Sequence, residues 1–249
     1  MTENTDAPAA APLTVPGFRR DHAAHPPLDY PPYRSTALRH PTRPLKLLPH
    51  MLTEVTGPVF GHDRIGDLDH DLTRQRSGEP QGQRIIVHGR VLDAGGRPVP
   101  HSLVEVWQAN AGGRYRHVID NWPCPLDPNF DGAGRTLTDA DGRYRFVTVR
   151  PGAYPWRNHD NAWRPAHIHF SLFGTSFTQR LVTQMYFPDD PLFGQDPMWN
   201  AIPDEAARQR LVARYDHGAT EPQWALAFAW DIVLRGPETT PFEQEADDD

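Results

Sequence analysis

The sequence has almost no cysteine: Cys124 stands alone among 249 residues. An internal disulfide is impossible, and a cysteine-based zinc site is excluded. No apolar run approaches the roughly 20 residues that a membrane helix needs. Positive charge is in deficit, with 25 Lys and Arg against 32 Asp and Glu, a formal charge of −7, which argues against nucleic-acid binding. The start, MTENTD, is acidic with no apolar stretch behind it, so no signal peptide is expected. A soluble, cytoplasmic protein with no membrane or nucleic-acid partner is the expectation. Proline, by contrast, is plentiful: 27, beside 19 glycines, about twice the usual share of roughly 5%. That composition disfavours a helical bundle and favours short strands between turns. The length suits one large domain or two small ones and suffices for a real core.

Residues 1–16 are rich in Ala, Pro, Thr and Asp and are expected to form a disordered tail. Residues 17–80 carry Pro26, Pro27, Pro31, Pro32, Pro41, Pro44, Pro49 and Pro58 with no helical period, and read as an extended arm. Residues 81–242 read as a β-sandwich and 243–249 as a solvated acidic tail. Strand composition recurs at 84–93, 102–108, 141–149 (after an Asp-Gly turn), 166–174, 179–187 and 224–234. One helix is expected over 204–215, where Asp204 can cap and Leu211 and Tyr215 lie four apart. The expected fold is all-β: an antiparallel, prealbumin-like β-sandwich with an N-terminal arm and one short helix.

In RPAHIHF, His167 and His169 lie two apart. Successive strand side chains point to opposite faces, so this pair shares a face while Ile168, Phe170 and Leu172 take the other and look like core. Two imidazoles so placed can converge on one ion. A surface role is equally open, because short motifs match by chance. A cupin-type site wants a Glu shortly afterwards, and none follows. The anionic ligands left are Asp, Glu and tyrosinate. Tyr115 in GGRYRH and Tyr154 in RPGAYPWRN occupy unusual places after strands. On the residues alone, a packing role for Tyr115 and a sandwich-corner cap for Tyr154 are the better readings.

The segments VEVWQANAGGRYRH (104–117), PLDPNF (125–130), GRTLTDADGRYRFVTVRPGAYPWRN (134–158) and WRPAHIHF (163–170) resemble the non-haem iron(III) intradiol dioxygenases. The similarity runs from about Tyr33 to Phe242 through long contiguous motifs in family order. It implies four Fe(III) ligands: Tyr115, Tyr154, His167 and His169. Phenolates are hard anions that suit Fe(III), and imidazole suits iron generally. It implies that Tyr154 leaves when substrate chelates and can take up a proton. Arg164 would lie beside the substrate ring and Gln184 in the pocket. Trp156 would line it, and Tyr33 and Arg39, in PPYRSTALR, would reach toward a substrate carboxylate. The implied reaction opens a catechol bearing a carboxylate, 3,4-dihydroxybenzoate, with O₂ to 3-carboxy-cis,cis-muconate. The implied partner is a homologous α chain, in αβ units that multimerise further.

Two other readings compete. GRVLDAGGRPVP and LTDADGRYRFVTVRPGAY also resemble prealbumin-like and carboxypeptidase-regulatory sandwich modules, which catalyse nothing. The tyrosine and histidine set separates the two, since a binding module has no use for it. A catechol or hydroxyquinol dioxygenase would carry a helical N-terminal segment where this chain has a proline-rich arm. Other tempting features take ordinary roles. His62, His70, Asp67, Asp69 and Asp71 are read as structural contacts, Cys124 as a small packed residue and Trp107 as core. Arg143 and Arg145 are read as solvent-facing, with Asp139 and Asp141 in a turn.

Overall fold

The computed structural model describes residues 24–43, 62, 64–157, 160–173 and 180–242. The expected tails at 1–16 and 243–249 lie outside the described residues, as do 17–23 and 44–61 of the expected arm.

Two sheets carry the fold. In the first, β1 (Arg84–Leu92) lies along β4 (Arg143–Val149), antiparallel, on one edge. On its other edge run β10 (Leu226–Ala229) and β11 (Ile232–Val233), both parallel to it. The two-residue β9 (Arg214–Tyr215) pairs antiparallel with β10. The second sheet has the order β3 (Ala133–Leu137), β2 (Leu103–Trp107), β7 (His167–Phe173), β8 (Arg180–Tyr186), antiparallel throughout. A separate two-stranded ribbon joins β5 (Tyr154–Trp156) to β6 (Ala162–Arg164). Among the described residues the helical turns are α1 (Thr36–Arg39), α2 (Pro197–Asn200) and α3 (Glu205–Gln209), with a 3-10 turn at Phe193–Gln195. No helix among the described residues is long and apolar enough to cross a membrane.

Alternation drives the packing. Ile85, Val87 and Val91 of β1 and Tyr144 and Phe146 of β4 face Val104, Val106, Ile168, Phe170 and Leu172 of the second sheet in one core. Phe170 sits at its centre, its ring 4.8 Å from Trp230 and 5.7 Å from Tyr144. The free edge of β4 is covered by the end of the arm. Leu72 N donates to the Val147 carbonyl at 2.8 Å and Val147 N to the His70 carbonyl at 3.0 Å. Leu72 itself is fully buried, so this segment closes an edge that would otherwise pair with foreign strands.

Three expectations need correction. The helix over 204–215 is one turn only: Asp204 does cap it, accepting from Ala206 N and Ala207 N, but the chain turns at Arg210 and Arg214–Tyr215 is strand. Leu211 is buried while Tyr215 is exposed, so the four-residue spacing is not a helical face. The expected strand at 224–234 is two strands, broken at Trp230 and Asp231. Trp230 N donates to the His88 carbonyl, and the Asp231 carboxylate accepts from Arg90 N at 2.8 Å. Trp107 is half-buried on the outer face of its sheet, and not core.

The break in that strand demands a glycine. A Cβ on Gly89 would lie 1.7 Å from the Trp230 carbonyl oxygen, which also accepts from the Tyr144 hydroxyl at 2.6 Å. Backbone cannot retreat as a side chain can. Gly89→Ala is expected to cost about 3 kcal/mol, the upper end for overpacking. Tyr144→Phe, which leaves that carbonyl unpaired, should cost about 1–3 kcal/mol. Denaturant unfolding midpoints check both, and a wild-type midpoint for Gly89→Ala would contradict the close approach.

Candidate metal centre and its cavity

The outer face of the second sheet is polar at its centre. His167 and His169 project there from β7, opposite Ile168, Phe170 and Leu172, which belong to the core. Their rings stand 4.8 Å apart. Register fixes their neighbours: Trp107 and Gln184 flank His169, and Tyr186 faces His167. Trp107 stacks flat on His169, with centroids 4.8 Å apart and planes within 1°. The Nδ1–H of His167 donates to the Pro165 carbonyl at 2.6 Å, which leaves its Nε2 as the free lone pair.

Two tyrosines complete the group. Tyr115 comes from the loop after β2. There the buried Asn110 accepts from Gly112 N and Arg114 N through its side-chain oxygen. Asp120 accepts from Tyr115 N at 2.8 Å. Gly113 takes φ +81°, and a Cβ there would meet the Ala153 carbonyl at 2.4 Å, so only glycine lets this loop lie against the chain entering β5. Tyr154 opens β5, opposite Arg164 of β6. The Tyr115 hydroxyl lies 3.3 Å from His167 Nε2 and 3.1 Å from His169 Nε2. The Tyr154 hydroxyl lies 3.4 Å from both His167 Nε2 and the Tyr115 oxygen.

Four donor atoms thus converge, two oxygens and two nitrogens, at separations of 3.1–3.4 Å. Such spacings suit ligands around one ion with bonds of roughly 2 Å. Burial pushes the Tyr115 phenol well above its ordinary range, and the neighbouring Tyr154 adds to this. Burial raises Tyr154 too, while the Arg164 guanidinium pulls it back. Burial drives both imidazoles down, His169 to about 3, with Arg164 adding to the effect. Without an ion the group is two phenols and two neutral imidazoles. A hard cation of high charge is what ionises such phenols, so the donor set fits ferric iron.

Beside the group lies a cavity of about 220 Å³, bounded by His169, Arg164, Gln184, Trp156 and, from the arm, Tyr33 and Pro26. The Tyr33 ring tilts against Trp156 at 4.6 Å. Arg39 does not border this cavity: its guanidinium lies 4.5 Å over the Tyr33 ring and faces a smaller pocket of about 140 Å³. The Arg164 guanidinium stands 5.2 Å over Trp156 and donates through Nη2 to Gln184 Oε1. Asp196 and Tyr186, in contact with Arg164, are not evident in the sequence. A capping Asp followed by Pro, in QDPMWN, signals only a helix start.

In the acidic stretch at 61–72, the described side chains make structural contacts. His62 Nε2 contacts the His101 carbonyl at 3.0 Å, Asp69 pairs with Arg135 at 2.7 Å, and Asp71 accepts from Thr73. Among the described residues no three His, Cys, Asp or Glu side chains form a metal cluster. Cys124 is half-buried against Gly112, and Arg143 and Arg145 are exposed.

Residues 55–236 match the family model described as "Dioxygenase", and residues 18–51 match "Protocatechuate 3,4-dioxygenase beta subunit N terminal". The chain is 58% identical over 227 residues to the protocatechuate 3,4-dioxygenase beta chain of Burkholderia cepacia, covering 90% of this chain and 96% of that one. It is 29% identical over 208 residues to the protocatechuate 3,4-dioxygenase alpha chain of Pseudomonas putida, covering 80% and 98%. Among solved structures, 3-chlorocatechol 1,2-dioxygenase from Rhodococcus opacus 1CP superposes with a TM-score of 0.52 at 23% identity. That superposition covers 68% of this chain and 66% of the other, and bears on the fold alone.

The lowered histidines make stability pH-dependent in the metal-free protein. The folded His169 resists protonation down to about pH 3, while the unfolded chain takes the proton near its ordinary 6.5. Below 6.5 the unfolded state therefore binds more protons, and stability falls with pH. Between pH 7 and 5, His169 should account for about 2 kcal/mol of lost stability. Unfolding free energies of wild type and His169→Gln at both pH values test this. Parallel slopes would show that His169 titrates normally in the folded chain.

Proposed function

The chain belongs to the intradiol ring-cleavage dioxygenase family, and from that premise we propose that it cleaves protocatechuate with O₂ to 3-carboxy-cis,cis-muconate, at ferric iron held by Tyr115, Tyr154, His167 and His169. The carrying observation is the convergence of those four donor atoms at the edge of a cavity that also holds a buried cation. Bound there, the iron supplies Lewis acidity and a template for the two catechol oxygens. A non-catalytic sandwich module gains no support from such a donor set.

The chain's own residues do the rest. His167 and His169 are held neutral by burial, so their Nε2 atoms are available as ligands without first losing a proton. Tyr154 is the donor to be exchanged for substrate. Its phenol oxygen, raised by burial, is basic once free of the ion and accepts a proton from the incoming catechol. Arg164 fronts the ring and stabilises the negative charge that develops on it, a preorganised role that needs no solvent reorganisation. Gln184 holds the Arg164 fork through Oε1. Trp156 and Tyr33 wall the ring, and Pro26, Ile202, Leu211 and Phe242 give the cavity an apolar lining.

The carboxylate must be read locally, because the net charge of −7 gives no attractive overall field. Tyr33 offers a phenol O–H at the cavity wall. Arg39, stacked on the far side of that ring, adds a positive field behind it. The beta-chain and alpha-chain names of the two relatives support a companion α chain; further assembly of the αβ units is part of the proposal.

Co-expression with such a chain, iron analysis and oxygen uptake on a panel of catechols test the reading. Tyrosinate on ferric iron gives a broad visible band, which should shift when protocatechuate is added without oxygen. His167→Ala should lose both band and iron. Colourless, iron-free protein that consumes no oxygen on any catechol would defeat the proposal. Tyr33→Phe should lower kcat/KM on protocatechuate roughly tenfold to a hundredfold, the equivalent of about 1.5–3 kcal/mol for a charged hydrogen bond. Unsubstituted catechol should be spared. Equal losses on both substrates would remove the carboxylate role from Tyr33.

A further inference from the structure

Asp196 is an acidic side chain with no exposure to solvent, on a segment that carries none of the four donors and not Arg164. It is fully buried and Arg164 nearly so, and its Oδ1 lies 3.0 Å from Arg164 Nε. Tyr186 donates its hydroxyl to Asp196 Oδ2 at 2.9 Å, and Met198 N donates to Oδ1 at 3.0 Å. The carboxylate is thus fixed from three sides: by the guanidinium, by a phenol from β8, and by the first turn of α2. Tyr186 is itself immobile, packed edge-on against Trp199 and Phe193.

Nη2 of the guanidinium is engaged by Gln184 and, at 3.4 Å, by Tyr186, while Nε lies at ion-pair distance from Asp196 without its N–H making a hydrogen bond. Nη1 makes no hydrogen bond to any described residue, and Arg164 borders the cavity. Held by the hydrogen bonds at Nη2 and by the buried counter-ion beside Nε, the guanidinium lies over Trp156. We infer that Asp196, seconded by Tyr186, is a positioning residue of the reaction: it holds Arg164 so that the unengaged part of its guanidinium faces the reacting ring. This rests on the reading of Arg164 given under the proposed function. The alternative is that Asp196 merely caps α2. Asparagine caps as well as aspartate but carries no charge, so Asp196→Asn separates the two.

The experiment compares kcat and KM for the iron-loaded protein with its companion chain, in wild type, Arg164→Ala, Asp196→Asn and the double variant. Arg164→Ala should lower kcat by roughly 10²–10³, the usual effect of removing a preorganised donor. Asp196→Asn should lower kcat by on the order of tenfold to a hundredfold with KM little changed. It should add nothing in the Arg164→Ala background, as expected of a residue that acts through another. Tyr186→Phe, which leaves the charge in place, should give a smaller loss that also vanishes in that background. If Asp196→Asn does not fold, the Tyr186→Phe cycle decides alone.

A second readout needs neither iron nor turnover. In metal-free protein with ¹⁵N-labelled arginine, the Arg164 Nη2–H signal, identified by its loss in Arg164→Ala, should exchange slowly with solvent, because Gln184 and the buried counter-ion Asp196 hold the group in place. In Asp196→Asn it should exchange quickly. Wild-type kcat in Asp196→Asn, additive losses, or unchanged exchange would overturn the positioning role. A wild-type rate in Arg164→Ala would overturn the reading of Arg164, and the positioning role with it.

Discussion

Everything at the site depends on the register of one inner strand. β7 is paired on both edges over most of its length, so it cannot slip by a residue without turning Ile168, Phe170 and Leu172 out of the core. That core constraint aligns the other face as well. With Ile168 fixed inward, His167 and His169 point outward. The same ladders set Trp107 and Gln184 beside His169 and Tyr186 beside His167. The hydrophobic effect thereby fixes the positions of polar chemistry it never touches: two imidazoles, the indole that braces one, the amide that holds a guanidinium and the phenol that holds its counter-ion.

The second determinant is charge in a dry place. A lone guanidinium as buried as Arg164 would be costly, and Asp196 offsets it at 3.0 Å. The pair is neutral in sum but not in its local field. The positive end borders the cavity, while the negative end is turned toward Tyr186 and the first turn of α2. The donor atoms feel the near end more: Arg164 lowers the protonation tendency of both histidines and draws Tyr154 down against its burial. The same near charge acts on any ring that builds up negative charge in the cavity.

Much of this was legible in the sequence because it rests on short-period patterns. The alternation in AHIHFSLFG separates ligand face from core face within nine residues. The long motifs around Tyr115 and Tyr154 carried the family likeness that physics alone did not. The misreadings have local causes. Residues 204–215 have helical composition, yet β9 claims Arg214 and Tyr215, so tertiary pairing overrides propensity. β5 and β6 are three residues each, with Pro155 inside the first, and too short to show a period. Trp107 looks like core by its chemistry, and only the register reveals that it stacks on His169 instead. Asp196 was invisible because its partner is 32 positions away, and single-sequence patterns carry no such pairing.

The four donors are not equally anchored, and the difference matches their roles. His167 and His169 sit on an inner strand. Tyr115 sits in a loop, but that loop is tied through Asn110, Asp120 and the close contact of Gly113, so moving its phenol disturbs several bonds at once. Tyr154 stands at the start of a ribbon of two three-residue strands, and a two-stranded ribbon alone is marginal in water. Its hydroxyl has only Tyr115 and His167 as partners among the hydrogen bonds that hold the group. Withdrawing it disturbs the second sheet least. It is also the donor opposite Arg164 in the ribbon. The phenol proposed to leave is therefore also the one paired with the fixed positive charge across the ribbon.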